Sequence, residues 1–219
     1  MNDSVEDRFS RWELDRILRI YPGLSLRPIV KGEIRLAGRL VFEADADGLP
    51  RIEDAYEVEI TVPPGFPRDL PAVKETAGRI PRSFHTNGDG SLCLGSPLRL
   101  QLELCRQPTL IGFLERCVIP YLYGFSYREN FGTLPFGELD HGSKGLQQDF
   151  ADLFGVESQI VAIAMVTSAS MKKRDANKRP CPCGSGRRLG KCHNRRINGM
   201  RKQLGRTWFR EQCLALEEK

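Results

Sequence analysis

Apolar Tyr56, Val58, Ile60 and Val62 alternate with Glu57, Glu59 and Thr61, and the run ends on Pro63-Pro64-Gly65-Phe66-Pro67. Alternation with period two makes a strand with one buried and one wet face, which fits an antiparallel sheet covered on one side. Proline cannot donate to a strand ladder, so Pro63 to Pro71 must leave the sheet through an extended turn before a short strand around Ala72 to Glu75. The chain then enters Ser83-Phe-His-Thr-Asn-Gly-Asp-Gly-Ser-Leu-Cys-Leu-Gly95. Asn87-Gly88-Asp89-Gly90 supplies residues that tolerate positive φ, so a tight loop carries His85 and Asn87 on one side and Cys93 on the other. A cysteine delivered this way reads as a positioned nucleophile.

The flanking segments complete an α+β pattern. Leu24 to Val30 and Gly32 to Glu43 read as further strands of the meander, separated by Lys31-Gly32, and an acidic turn, Asp45 to Pro50, leads on to Tyr56. Ser4 and Asp7 form a capping box ahead of a helical stripe of Val5, Phe9, Trp12, Ile17 and Tyr21, which stops at Pro22-Gly23. After the cysteine, helices are expected from about Thr109 to Phe125, Ser143 to Phe154, Glu157 to Ser170 and Ile197 to Glu218. Pro97 to Leu104 alternates like a strand, which argues against a redox couple between Cys93 and Cys105.

Taken in order, these pieces resemble the ubiquitin-conjugating enzyme family, whose core runs strand, P-x-x-[YF]-P-x-x-x-P, His-Pro-Asn, then Cys-Leu. The matching residues are Pro63/Pro64-Gly65-Phe66-Pro67 with Pro71, His85-Thr86-Asn87, and Cys93-Leu94; Gln107-Pro108-Thr109-Leu110 then opens an apolar helix. The resemblance covers roughly residues 5 to 125. It implies a UBC-like antiparallel meander sheet with flanking helices, assigned to residues 1–170. It also implies carriage of a ubiquitin-like modifier protein as a thioester on Cys93, loaded by an activating-enzyme homologue and passed to an amine on an acceptor protein.

By the same analogy Asn87 donates its amide to the oxyanion of the transfer step, while its own sequence context reads equally as a turn residue bonded to nearby backbone. His85 reads as an organiser of the loop rather than a general base. Thr86 replaces the family's proline, the interval from His85 to Cys93 is shorter, and the stretch from Cys93 to Pro108 is longer and lacks tryptophan. These departures resemble divergent bacterial members, which implies a bacterial conjugation or antiphage defence pathway. The other reading is a non-catalytic binding module of the same fold, recruited through its tail.

That tail carries Cys181, Cys183, Cys192 and His193 at C-x-C-x8-C-H spacing. Four soft ligands so close together suit tetrahedral Zn2+, and Gly184 and Gly186 permit the reversal that brings the second pair back to the first. The run resembles the SEC-C motif, giving a zinc module over 181–219 behind a basic linker over 171–180. Zinc here either staples a segment too small to bury a core or presents a docking surface, and the two roles are compatible.

Charge is divided unevenly. Residues 172–210 hold 14 Lys and Arg against one acid, Asp175, while residues 1–171 carry 18 basic and 24 acidic side chains. A tail of that sign suits an acidic protein face or nucleic acid, although aromatics for base stacking are limited to Trp208 and Phe209; a solvated module surface is the simpler expectation. Seven cysteines without a disulfide framework fit a reducing compartment, with Cys105, Cys117 and Cys213 expected as small core residues. The polar start and the lack of a long apolar run point to a cytoplasmic protein without membrane contact. His141, ahead of an expected helix capped by Ser143, is a further candidate for the neighbourhood of the cysteine, but nothing in its spacing places it there, and a residue without a site role is the simpler expectation.

Overall fold

A computed structural model describes residues 5–135 and 142–217. Ser4 of the expected capping box and His141 lie outside the described residues. The chain forms two compact units, Met1–Gly95 with Arg106–Glu138, and Ser96–Cys105 with Leu139–Lys219. Residue 170, the sequence-based boundary, lies within the second of these units.

In the first unit, strands β1 (Leu24–Val30), β2 (Glu33–Ala44), β3 (Ile52–Val62) and β4 (Ala72–Glu75) form an antiparallel sheet in sequential order. Lys31 (φ 52°) and Gly32 (φ 78°) make the expected turn between β1 and β2. β2 and β3 pair in unbroken register from Ile34 opposite Val62 to Ala44 opposite Ile52, which sends Ile34, Leu36, Leu40 and Phe42 inward with Tyr56, Val58, Ile60 and Val62. Gly38 is required where β1 crosses closest, because a Cβ there would fall 2.2 Å from the Gly23 carbonyl oxygen. β3 starts before the expected Tyr56: position 54, which faces inward, is an aspartate and hides the alternation.

The expected N-terminal helix is two short ones, α1 (Val5–Arg11) and α2 (Leu14–Ile20), broken where Glu13 takes φ 55°. The break lets Trp12, Leu14 and Ile17 all become buried, with the Trp12 ring meeting Phe66 of the proline turn edge-on at 5.4 Å. Further along, Pro108 precedes Thr109, whose Oγ1 accepts from Gly112 N at 3.0 Å and starts α4 (Leu110–Phe113). The helix runs on through a π-turn, Leu114–Val118, into α5 (Ile119–Phe131). Pro120 has no N–H for the Arg116 carbonyl, and the wider turn sits at that gap. Leu110, Phe113, Leu114, Val118 and Leu122 are fully buried, and α5 packs on β2 and β3.

The second unit comprises α3 (Pro97–Arg106), α6 (Gly142–Phe154), α7 (Gln159–Ser170), α8 (Lys173–Ala176), α9 (Asn194–Leu204) and α10 (Arg206–Glu217). Phe150, Phe154, Met165, Val166, Ile197 and Phe209 form one apolar core that also takes in Leu98 of α3, Ala176, Cys181 and Leu189. Three expectations change. Pro97 to Leu104 is helical, because Leu98 and Leu102 stand one turn apart within what reads as strand alternation, and Pro97 suits a first helical turn. The expected linker contains α8, whose Ala176 is buried. The last helix is split at Gly205, φ 81°.

Two arginines of α9 tie this unit together. Arg196 Nε donates to the Leu153 carbonyl at 2.6 Å, at the end of α6, and Arg201 donates to the Ala169 carbonyl at 2.8 Å and the Met171 carbonyl at 3.0 Å, at the end of α7. Cations at the C-terminal ends of helices satisfy orphan carbonyls and oppose the helix dipole. Among the described residues, no single helix is long and apolar enough to cross a membrane.

Candidate cysteine site and metal centre

The loop after β4 is closed by backbone bonds. Thr86 and Leu92 form an isolated antiparallel bridge, Asn87 N donates to Ser91 O at 2.8 Å, and Gly90 N donates back to Asn87 O at 2.9 Å. Leu92 N reaches the Val73 carbonyl of β4 at 2.7 Å, which hangs the loop from the sheet edge, and Leu92 itself is buried. Cys93 N then donates to His85 O at 2.7 Å. The result brings His85, Asn87 and Cys93 together, with Cys93 half-exposed on an otherwise anchored segment.

Each partner has a defined contact. Asn87 Nδ2 donates to Ser91 Oγ at 3.0 Å and lies 3.5 Å from Leu92 O, so its amide spans the loop. His85 adopts φ 36°, a strained value for a residue with a Cβ, and its ring meets Phe84 edge-on at 4.8 Å. Asp89 accepts from Ser91 N at 3.0 Å and Ser91 Oγ at 2.7 Å, and the Ser91 hydroxyl bond, the larger cause, holds its carboxyl below the usual range.

Tyr121 of α5 also meets this loop, a residue that the sequence does not single out. Its hydroxyl donates to the Phe84 and His85 carbonyls, at 3.1 and 3.2 Å. Burial pushes its phenol far above the ordinary value, the Thr86 hydroxyl pulls the other way, and charge on Cys93 adds to the rise, so Thr86, Cys93 and Tyr121 share one neighbourhood. Tyr121 sits one turn before Phe125 on an apolar helix, a spacing that only signals packing.

A second brace lies upstream. Arg79 donates to both Asp54 oxygens at 2.8 and 2.7 Å, to Glu129 of α5 at 2.6 Å, and stacks over the Tyr56 ring at 4.3 Å. Ser126 Oγ adds a bond to Asp54 at 2.6 Å. Burial raises the Asp54 carboxyl, yet the Arg79 guanidinium, Ser126 and the Ala55 N–H together hold it down at about 2. The segment feeding His85 is thus clamped to β3 and α5.

The four expected metal ligands also converge. A bridge between Pro180 and Arg188, with Cys181 N donating to Arg187 O at 2.8 Å, forms a small hairpin whose reversal uses Gly184 and Gly186, at φ 76° and 69°. Leu189–Lys191 is a short 3-10 turn that returns Cys192 and His193 to the first pair. The ligand atoms all lie within 4.8 Å of one another, with Cys181 Sγ 3.2 Å and Cys192 Sγ 3.3 Å from His193 Nδ1, and Cys183 and Cys192 Sγ 3.5 Å apart. Zn–S bonds of about 2.3 Å in a tetrahedron set sulfurs roughly 3.8 Å apart, so this donor set is compatible with zinc. The Ser185 hydroxyl lowers the Cys183 thiol, while burial raises Cys181.

The remaining cysteines differ from one another. Cys117 is buried as expected, Cys213 is partly buried, and Cys105 is exposed, its Sγ donating to Gln203 O at 3.4 Å. A family model of the SEC-C motif matches residues 180–195. Neither a curated protein nor a solved structure matches the chain.

Proposed function

We propose that Cys93 is an acyl-carrying nucleophile in a UBC-like domain of bacterial type, working in a conjugation or defence pathway. The observation that carries this reading is the half-exposed Cys93, whose backbone is fixed by His85 O on a loop hung from β4. Support also comes from the order of parts: helix, four-stranded meander, proline turn, histidine loop, cysteine, capped helix. In the reaction, the Cys93 thiolate attacks the thioester carbonyl of a ubiquitin-like modifier held by an activating enzyme. A tetrahedral oxyanion forms, the partner's thiolate leaves, and the modifier is now on Cys93. An acceptor amine then attacks that carbonyl, Cys93 leaves as thiolate, and the amine's proton passes to solvent as the amide forms.

Within this reading Asn87 and His85 are positioning residues. Asn87 closes the loop through Ser91, and His85 acts through its carbonyl, which accepts from both Cys93 N and Tyr121 Oη. The metal centre holds zinc as a structural ion. The exposed Lys178, Arg179, Arg187, Arg188, Lys191 and Arg195 flank its ligands along the chain, and Trp208 and Phe209 are buried, so an acidic protein face suits the tail better than stacked bases.

The test is intact-mass and non-reducing gel analysis of protein recovered from cells that also make the products of the neighbouring genes. Wild type is compared with Cys93→Ser and Cys93→Lys. A thiol-labile adduct on wild type that turns thiol-resistant at residue 93 is the expected result, and its mass identifies the modifier. With an active activating enzyme present, no adduct at residue 93 would leave the binding-module reading in its place.

A further inference from the structure

Three residues beyond Cys93, at Ser96, the chain passes from the first compact unit into the second. Ser96 caps α3: its Oγ accepts from Arg99 N at 3.3 Å and its carbonyl accepts from Leu100 N at 3.1 Å. From there α3 belongs to the core that surrounds the metal ligands. Leu98 is 1% exposed, in the same apolar cluster as the ligand Cys181 and as Leu189, which lies between the two ligand pairs. Arg99 pairs with Asp149 of α6, and Cys105 bonds to Gln203 of α9, the helix that begins directly after the ligand His193.

We propose that metal occupancy at Cys181, Cys183, Cys192 and His193 governs the conformation of the Cys93 loop, with α3 as the connecting element. The hairpin and 3-10 turn that present the ligands are too short to hold themselves, so their order depends on the ion. Loss of the ion frees α9, and with it Arg196 and Arg201 leave the carbonyl ends of α6 and α7. The pocket for Leu98 then opens and α3 loses its seat. Only Leu94, Gly95 at φ 140° and the capping Ser96 separate α3 from Cys93, so a loosened α3 no longer restrains the Cys93 N–H bond to His85 O. Metal release thereby exposes the thiol.

The proposal rests on a divalent ion filling the four ligands and not on the thioester reading; the test therefore uses a small alkylating agent instead of a modifier. Full-length protein is prepared with one equivalent of zinc and after removal by a chelator, with metal content measured in both. Hydrogen exchange in residues 97–106 and the rate of Cys93 alkylation by iodoacetamide, mapped by mass, are then compared. Metal removal is expected to speed exchange in 97–106 about tenfold or more and Cys93 alkylation about fivefold, with β2 and β3 amides changed less than about twofold.

Because the stripped protein can lose more than α3, Leu98→Ala is measured in the zinc-loaded state. It is expected to raise Cys93 alkylation about threefold with zinc retained. Unchanged exchange in 97–106 after verified metal loss overturns the proposal, as does a Cys93 rate that stays fixed in zinc-loaded Leu98→Ala.

Discussion

Both units of this chain hold a cysteine site, and the two are built in opposite ways. At Cys93 the sulfur takes no part in the architecture: β4, the Asn87 staple, His85 O and Tyr121 fix the backbone around it, leaving the thiol half-exposed. At the metal centre the sulfurs and one imidazole are the architecture, drawn together within 4.8 Å, and Cys181 belongs to the apolar core. Under the proposed function, the contrast separates a thiol available for chemistry from thiols committed to holding structure. What distinguishes them is which atoms carry the local fold, since cysteine itself is common to both.

Core truncations sharpen this contrast most. Phe209, fully buried between Phe154 and Trp208 at ring distances of 6.4 and 5.1 Å, should cost about 3–5 kcal/mol in the second unit as Phe209→Ala, and zinc affinity should fall with it. Phe113→Ala should cost as much in the first unit and leave zinc affinity within about twofold. Denaturant melts paired with zinc titrations read both, and equal loss of affinity in the two variants would break the separation.

Acid titration isolates the first unit at a smaller scale. Asp54 titrates at about 2 when folded, below the roughly 3.9 of an unfolded aspartate, so its contribution is present above about pH 4 and is lost as pH falls towards 2. Asp54→Asn should remove that acid-dependent step and, with the carboxylate partly solvated, cost about 1 kcal/mol at neutral pH. Melts of the two proteins across pH 2 to 5 check the slope; an unaltered slope in the variant would assign acid sensitivity elsewhere.

The smallest effect probes the loop alone. Tyr121→Phe keeps the ring and removes the hydroxyl that donates to Phe84 and His85, which should cost about 1 kcal/mol and change Cys93 alkylation by about threefold. Zinc content should not move. A rate identical to wild type would mean that the sheet edge and Asn87 suffice to place Cys93.

How much of this was legible in the sequence depended on whether the signal was local. β1, β4 and the turn at Lys31-Gly32 follow directly from alternation and turn chemistry, and the ligand spacing of the metal centre is a short-range pattern. The start of β3 was concealed by Asp54, an inward carboxylate tolerated only because Arg79 and Ser126 meet it from elsewhere in the chain. α3 reads as a strand because leucines at 98, 100, 102 and 104 satisfy both periods, and burial of Leu98 with Leu102 packed beside it decides for the helix. Tyr121 was invisible because its meaning lies in a contact 36 residues away. The grouping of α3 with the second unit is non-local in the same way: Arg99 finds Asp149, and Cys105 finds Gln203, across spans that no sequence window covers.

The interleaving of the second unit also sets a schedule during synthesis. Residues 97–106 leave the ribosome long before their last core partner, Phe209, has been added. At roughly 5–20 residues per second, that is a wait of about 5 to 20 s in which Leu98 and Leu102 have no complete surface to cover them. The stretch just after Cys93 is therefore open to chaperone capture during synthesis, and it settles only when α10 is delivered.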